Sequence, residues 1–267
     1  MCELLALHFN QNINPRFSLK GFQQRARVHS HGWGLAWFPD GEAQIIKEPH
    51  NAMRSSLFKA VYDGPWVKSK NIISHLRYAT HGSHVQQNTH PFMRYYQGKS
   101  IVFAHNGVLN NHETLSLNGY KPVGQTDSEH AFCHLLGELK KQKLQLDKPE
   151  HYSKVEAVLK QINKLGKFNC IFSDGERLFA YHTATPGNSL HYTIRKAPFH
   201  AVSLADLDVS INLEDEKNPD TRGVVIATAA ITDNEYWQVL PKGRLFVFKD
   251  GVCIFGETRT NDTPAHL

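Results

Sequence analysis

The chain predicts a layered α+β domain. Three observations lead there. Short runs rich in Val, Ile, Phe and Tyr, bounded by Gly, Asn, Asp or Pro, recur along all 267 residues. A few helical patterns interleave with them. Hydrophobic content of 40% and charged content of 21% are those of an ordinary globular protein with a sizeable core. In order, a strand-like run at 4–9 precedes a helical pattern at 19–27, a strand at 44–47 and a helical pattern at 55–62. Strand-like runs at 71–76 and 100–104 follow, then helical patterns at 127–141 and 153–165. In the last, Val155, Val158, Leu159 and Ile162 share one face. The remaining strand-like runs are 168–172, 177–181, 191–195, 224–227, 244–248 and 252–255. Two polar stretches, 142–151 and 205–222, read as surface loops, and strand signals resume after both. A single domain over 2–267 is therefore expected.

Composition excludes several function classes. No stretch approaches the roughly 18–20 apolar residues that span a bilayer, so no membrane role is expected. The N-terminus lacks a basic region followed by an apolar one, the pattern of a signal peptide. Cys2, Cys133, Cys170 and Cys253 form no CxxC pair, which speaks against a zinc ribbon. A free thiol suits a reducing compartment, and a cytoplasmic location is expected. The net charge of +5 is scattered, with Lys140, Lys141 and Lys143 near a helix end, so no nucleic-acid partner is expected.

Cys2 carries the most information. Removal of Met1 would leave a thiol and a free α-amine on one residue, with reference pKa values of about 8.5 and about 7.7–8.0. The amine can then take the thiol proton near neutral pH, and the chain terminus replaces the histidine of a triad. Three further constellations follow. His75-Leu76-Arg77-Tyr78-Ala79-Thr80-His81-Gly82 reads as a strand running into a turn, and an Arg there can grip a carboxylate with two hydrogen bonds. Ala104-His105-Asn106-Gly107 follows an apolar strand. An Asn side-chain N–H and the next backbone N–H can form an oxyanion hole, although a plain Asn-Gly turn is the commonest explanation of such a pair. Gly124-Gln125-Thr126-Asp127-Ser128-Glu129 reads as a helix start, with Thr126 and Glu129 at capping-box spacing. Asp127 then lies in the first turn, where it can also hold an ammonium group. Among 17 histidines, His130 and His134 lie at i and i+4, and His29 and His31 flank Ser30. No HExxH or comparable ligand spacing accompanies them, so neither a metal nor another cofactor is expected.

In this order the pieces resemble the class II glutamine amidotransferases, the N-terminal-nucleophile glutaminase domains. The matching segments are Cys2, His31-Gly32-Trp33-Gly34, Arg77–Gly82, His105-Asn106-Gly107 and Thr126–Glu129. Asn88-Thr89-His90-Pro91-Phe92 and Thr232-Asp233-Asn234-Glu235-x-Trp237 are similar to the stand-alone bacterial branch, so the resemblance spans nearly the whole chain. It implies a four-layer αββα sandwich. It also implies that Cys2 attacks the γ-amide of glutamine, its amine shuttles the proton, and Asn106 and Gly107 stabilise the oxyanion. By the same resemblance Arg77 binds the α-carboxylate, Asp127 binds the α-ammonium, and Thr80 and His81 line the site. The products would be glutamate and ammonia, by way of a γ-glutamyl thioester.

The chain departs from the family in two places. Many relatives carry an acidic residue before Gly-Trp-Gly, where this chain has His31. The large synthases follow the glutaminase with an acceptor domain, and little sequence remains here for one. The reading is an amidohydrolase acting on glutamine, with an ammonia-accepting synthase as a candidate partner. One alternative keeps the chemistry and changes the substrate to a γ-glutamyl peptide or thiol conjugate. Another is a non-catalytic subunit that senses glutamine or docks to a synthase, and a third is a metal-dependent hydrolase that uses the histidines.

Overall fold

The computed structural model describes residues 2–79, 82–187, 189–207, 210–212 and 218–256. The strands are β1 (Glu3–Ile13), β2 (Trp33–Trp37), β3 (Gln44–Glu48), β4 (Ser69–Leu76), β5 (Phe92–Tyr96), β6 (Lys99–Leu109), β7 (Gly166–Ser173) and β8 (Arg177–His182). They continue with β9 (His191–Lys196), β10 (Ala201–Ser203), β11 (Ser210–Asn212), β12 (Arg222–Ala227), β13 (Gln238–Val239), β14 (Arg244–Lys249) and β15 (Val252–Phe255). The helices are α1 (Arg16–Gln23), α2 (Ser56–Asp63), α3 (Asp127–Lys141) and α4 (Tyr152–Asn163).

Two large antiparallel sheets and a small β10-β11 pair result among the described residues. One runs in the order β13-β9-β12-β1-β4-β2-β3 and the other β15-β14-β8-β7-β6-β5. Alternation along β1 shows how they stack. Leu5, Leu7 and Phe9 pack with Leu19, Phe22 and Phe58 of α1 and α2. Leu4 and Ala6 face the other way, onto Val102, Ala104, Ile171 and Phe246 of the second sheet. The outer face of that sheet, with Phe103, Phe168 and Phe179, packs on Phe132, Leu136, Val155 and Leu159 of α3 and α4. The layers are therefore helices, sheet, sheet, helices, the expected αββα sandwich. With both faces of each sheet covered, β1 is a near-continuous apolar run.

The ten strand-like runs all lie in strands, and residues 127–141 coincide with α3. Three differences have clear causes. The helical pattern at 19–27 is α1 followed by a 3₁₀ turn over Gln24–Arg27. Strand β2 went unread because Gly34 interrupts it, and glycine ordinarily weakens a strand. Glycine is required there because a Cβ would collide with the His90 carbonyl oxygen and come within 2.9 Å of Pro91. Finally, β6 does not stop at Ala104. His105, Asn106 and Gly107 continue the ladder opposite Cys170, Asn169 and Phe168, so Asn106-Gly107 is strand interior and not a turn.

The Thr232–Trp237 motif is structural. Glu235 receives two hydrogen bonds from Arg195, at 2.7 and 2.6 Å, and one from Thr232 Oγ1 at 2.7 Å. Trp237 Nε1 donates to Thr232 Oγ1, and Asn234 exchanges hydrogen bonds with Ser203 N and Ala201 O. The motif thus staples the segment before β13 to β9 and β10. The paired side chains are only 8% and 14% exposed, so removing one strands a buried charge. Glu235→Ala is expected to lower unfolding stability by about 3–5 kcal/mol, read as a shift of the denaturant midpoint.

Candidate active site

Alternation brings three side chains to one end of the gap between the sheets. Cys2 precedes β1 and has the parity of Leu4 and Ala6. Arg77 follows β4 and has the parity of Ile73, and Asn106 in β6 has that of Val102 and Ala104. The ladder sets the depth of the first two, because Glu3 pairs with Leu76 and Leu76 with Trp33. The start of β1 is clamped from the far side. Thr228 Oγ1 donates to the Glu3 carboxylate and accepts from Leu4 N, and the Glu3 carboxylate also pairs with His29 at 3.6 Å.

Cys2 is half-buried. Its Sγ accepts from Tyr78 N at 3.3 Å and lies 3.5 Å from Tyr78 O. Burial pushes the thiol up to about 11, against the lowering pull of the Tyr78 N–H and Arg77 and with the raising effect of Asp127. Arg77 and Asp127 are thus close enough to Cys2 to act on its charge.

Asn106 is 1% exposed, and among the described residues neither its side-chain nitrogen nor its oxygen has a hydrogen-bond partner. A buried amide without partners is costly, which marks it as a group held ready for something else. Gly107 beside it is required by packing, since a Cβ would collide with the Lys167 carbonyl oxygen. His105 faces the opposite side of β6. Its Nε2 donates to Lys167 O at 3.1 Å, which fixes the tautomer, and its Nδ1 accepts from Ser128 Oγ at 2.8 Å.

Asp127 opens α3. Thr126 caps the helix by accepting from Glu129 N at 3.2 Å. The reciprocal half of the expected capping box does not form, because Glu129 bonds to Gly124 N and Arg94 instead. Asp127 Oδ2 accepts from Leu109 N at 2.8 Å and Oδ1 from Ser128 N at 2.9 Å. The first bond ties the helix to the end of the strand that carries Asn106.

The Arg77 guanidinium donates to the carbonyls of Ser83 and Gly82, at 3.0 and 3.2 Å. Asn88 is fully buried; it donates to Ser83 O at 3.1 Å and accepts from Gln125 N at 2.8 Å. A single side chain therefore joins the segment that orients Arg77 to the entry of the helix that presents Asp127. Thr80 and His81, expected to line the site, lie outside the described residues. His130 and His134 donate to the carbonyls of Leu115 and Ser116, at 3.0 and 2.7 Å, which accounts for their spacing. Among the described residues no three His, Cys, Asp or Glu side chains are grouped to hold a metal ion.

This arrangement can be set beside known proteins. The family described as glutamine amidotransferases class-II matches residues 1–266. The chain belongs to this family. YafJ of Escherichia coli is 36% identical over 264 residues, covering 94% of this chain and all of that protein. An uncharacterized protein of Methanocaldococcus jannaschii is 43% identical over 262 residues, covering 98% of this chain and 73% of that protein. A predicted glutamine amidotransferase from Pseudomonas aeruginosa, known at 2.0 Å, superposes with a TM-score of 0.71 at 28% identity, over 95% of this chain and all of that one. The Bacillus subtilis glutamine phosphoribosylpyrophosphate amidotransferase, at 16% identity and a TM-score of 0.58, shares the fold over 94% of this chain and 48% of its own.

In this class II glutamine amidotransferase, sequence reasoning gave no role to Asn88, Ser128 or the Tyr78 backbone. Asn88 and Ser128 sat inside quoted motifs, but their work depends on partners 37 and 23 residues away. The raised thiol yields one direct expectation for protein that retains Met1. Alkylation at Cys2, followed by mass spectrometry, should quicken about tenfold per pH unit without levelling by pH 9. A plateau near the ordinary thiol value of about 8.5 would show that burial does not raise it.

Proposed function

We propose that the chain is an N-terminal-nucleophile amidohydrolase that cleaves the γ-amide of glutamine. The observation that carries this reading is the Asn106 amide, buried without a partner among the described residues, beside Gly107 at the end of the gap that also holds Cys2. With Met1 removed, the Cys2 amine takes the thiol proton, and sulfur attacks the γ-carbonyl carbon. The negative oxygen is received by Asn106 Nδ2–H and the Gly107 N–H. As the C–N bond breaks, the amine returns its proton to the leaving nitrogen, which departs as ammonia. Water, activated by the same amine, hydrolyses the γ-glutamyl thioester to glutamate. Arg77 reads the substrate α-carboxylate and Asp127 the α-ammonium, each oriented by the hydrogen bonds described above; Thr80 and His81 complete the lining.

The decisive experiment compares native-terminus protein on glutamine, γ-glutamyl peptides and γ-glutamyl thiol conjugates, with N-acetyl-glutamine and glutamine α-amide as controls. Compounds with both α-groups free should turn over and the controls should not; equal turnover of the controls would remove Arg77 and Asp127 from substrate reading. Cys2→Ala should abolish hydrolysis. Arg77→Ala and Asp127→Ala should each lower kcat/KM by about 30-fold or more, because each leaves a substrate charge unpaired. Asn106→Ala should act mainly on kcat, by about 100–1,000-fold.

The pH dependence has a definite sign. The amine acts unprotonated, so kcat/KM should rise about tenfold per pH unit and level off above about 7.7–8.0. A rise that continues towards 11 would mean that solvent, not the amine, ionises the thiol.

A further inference from the structure

His31 stands where many relatives have an acidic residue, and its surroundings show what it does there. Its Nδ1 accepts a hydrogen bond from Ala79 N at 2.9 Å. Its own N–H donates to Arg77 O at 3.0 Å, and Arg77 N donates to Gly32 O at 2.8 Å. The imidazole also stacks on His84 at 4.3 Å and lies 5.1 Å from the Tyr78 ring. One residue therefore grips the substrate-facing segment at Arg77, Tyr78, Ala79 and His84. The same segment carries the Tyr78 N–H that meets the Cys2 sulfur and the Arg77 guanidinium.

The hydrogen bond from Ala79 N requires Nδ1 to be bare, with the ring proton on Nε2. A carboxylate at this position would remain an acceptor down to about pH 4, whereas an imidazole stops being one within the range in which histidine titrates, about 6.5 in its unperturbed state. Once protonated, Nδ1–H would face the Ala79 N–H, two donors with no acceptor between them.

We propose that His31 is a positioning residue that holds Arg77, Tyr78 and Ala79 in place beside Cys2 only while its imidazole is neutral, so that glutamine binding weakens in acid through His31. The binding half of this proposal rests on the function proposed above. The groups facing the ring agree with a neutral imidazole. Burial lowers its pKa, and His84 and Arg77 lower it further. The carboxylates on flanking elements are engaged elsewhere, Glu3 by Thr228 and His29 and Glu48 by Trp33 and Ser55. His29 lies beyond Tyr78, its ring centroid 6.2 Å from the phenol ring. The bond from Ala79 N is present above the His31 transition and is lost as pH falls through it.

Two readouts test this. The first needs no ligand. Hydrogen–deuterium exchange of the peptide spanning 77–79, corrected for intrinsic rate, should speed up by about tenfold between about pH 8 and about pH 5, the worth of one hydrogen bond. In His31→Asp and His31→Asn, which keep an acceptor at that place, exchange should stay within about twofold over the same range. The second is calorimetric titration of glutamine into Cys2→Ala protein, which binds without turnover. Its Kd should rise by about tenfold over that range, and the added His31→Asp change should flatten the rise. An unchanged acid response in both His31 variants would overturn the proposal, as would exchange insensitive to pH in the parent protein. Exchange that follows His31 in protein that fails to bind glutamine at pH 8 would support the segment's control by His31 and count against the amidase reading alone.

Discussion

Burying an amide side chain with neither its nitrogen nor its oxygen bonded costs about 1–3 kcal/mol per group, so the rest of the fold must hold Asn106 in place. The holding is done by the strand. Hydrogen bonds with β7 run from Val102 to Leu109, and His105, one residue earlier, is fixed on the opposite face by Lys167 O and Ser128 Oγ. The backbone cannot rotate Asn106 towards a partner without breaking that ladder. The same β6–β7 pairing explains Gly107, because the Lys167 carbonyl that receives the His105 proton occupies the space a side chain would need. One pair of strands therefore both fixes an amide that has no partner among the described residues and excludes a side chain from the position beside it.

The opposite wall is organised by single-residue links between distant segments. Asn88 couples Ser83 to Gln125, and the Ser83 carbonyl in turn receives Arg77. Asp127 couples α3 to the end of β6. A zwitterionic substrate read by Arg77 and Asp127 would thus meet two charges whose separation is set by Asn88 and by Leu109 N, not by either charge's own element. Beneath them lies a layer of buried imidazoles. His75 stacks on His90 at 4.1 Å and donates to His105 O, and burial pushes His75 down to about 3. These rings pack as neutral, flat groups near the Arg77 charge and add none of their own.

Part of this was legible in the sequence because it depends on local pattern. The apolar runs, the helix start at Thr126-Asp127 and the amphipathic face of α4 are set by neighbours within a few residues, and each lies where the pattern put it. Reading failed where a long-range contact overrode local preference. Strand β2 was not among the strand-like runs, and its Gly34 is required by the His90 carbonyl packed against it. Asn106-Gly107 looked like a turn until β7 extended the ladder through it. The Thr232–Trp237 motif marked a resemblance without a role, and its partners Arg195, Ser203 and Ala201 make it a staple.

By itself the sequence determined the chemical inventory and its order along the chain: a thiol at the second position, an arginine after a strand, an Asn-Gly pair, and an acid at a helix start. It also determined the period-two parity along the apolar runs that Cys2 precedes and Arg77 follows, because alternation is local geometry, whereas Asn106 gained its parity only when β7 extended the ladder through it. The tertiary structure alone decided that those faces look into the same gap and at what depth, since that depends on register between strands up to about a hundred residues apart. It alone decided that the Asn106 side chain has no hydrogen-bond partner among the described residues, that burial raises the Cys2 thiol, and that His31 meets Ala79 N across 48 residues. The physical reason is the same in each case: desolvation and hydrogen-bond satisfaction belong to the packed environment, and no single segment carries them.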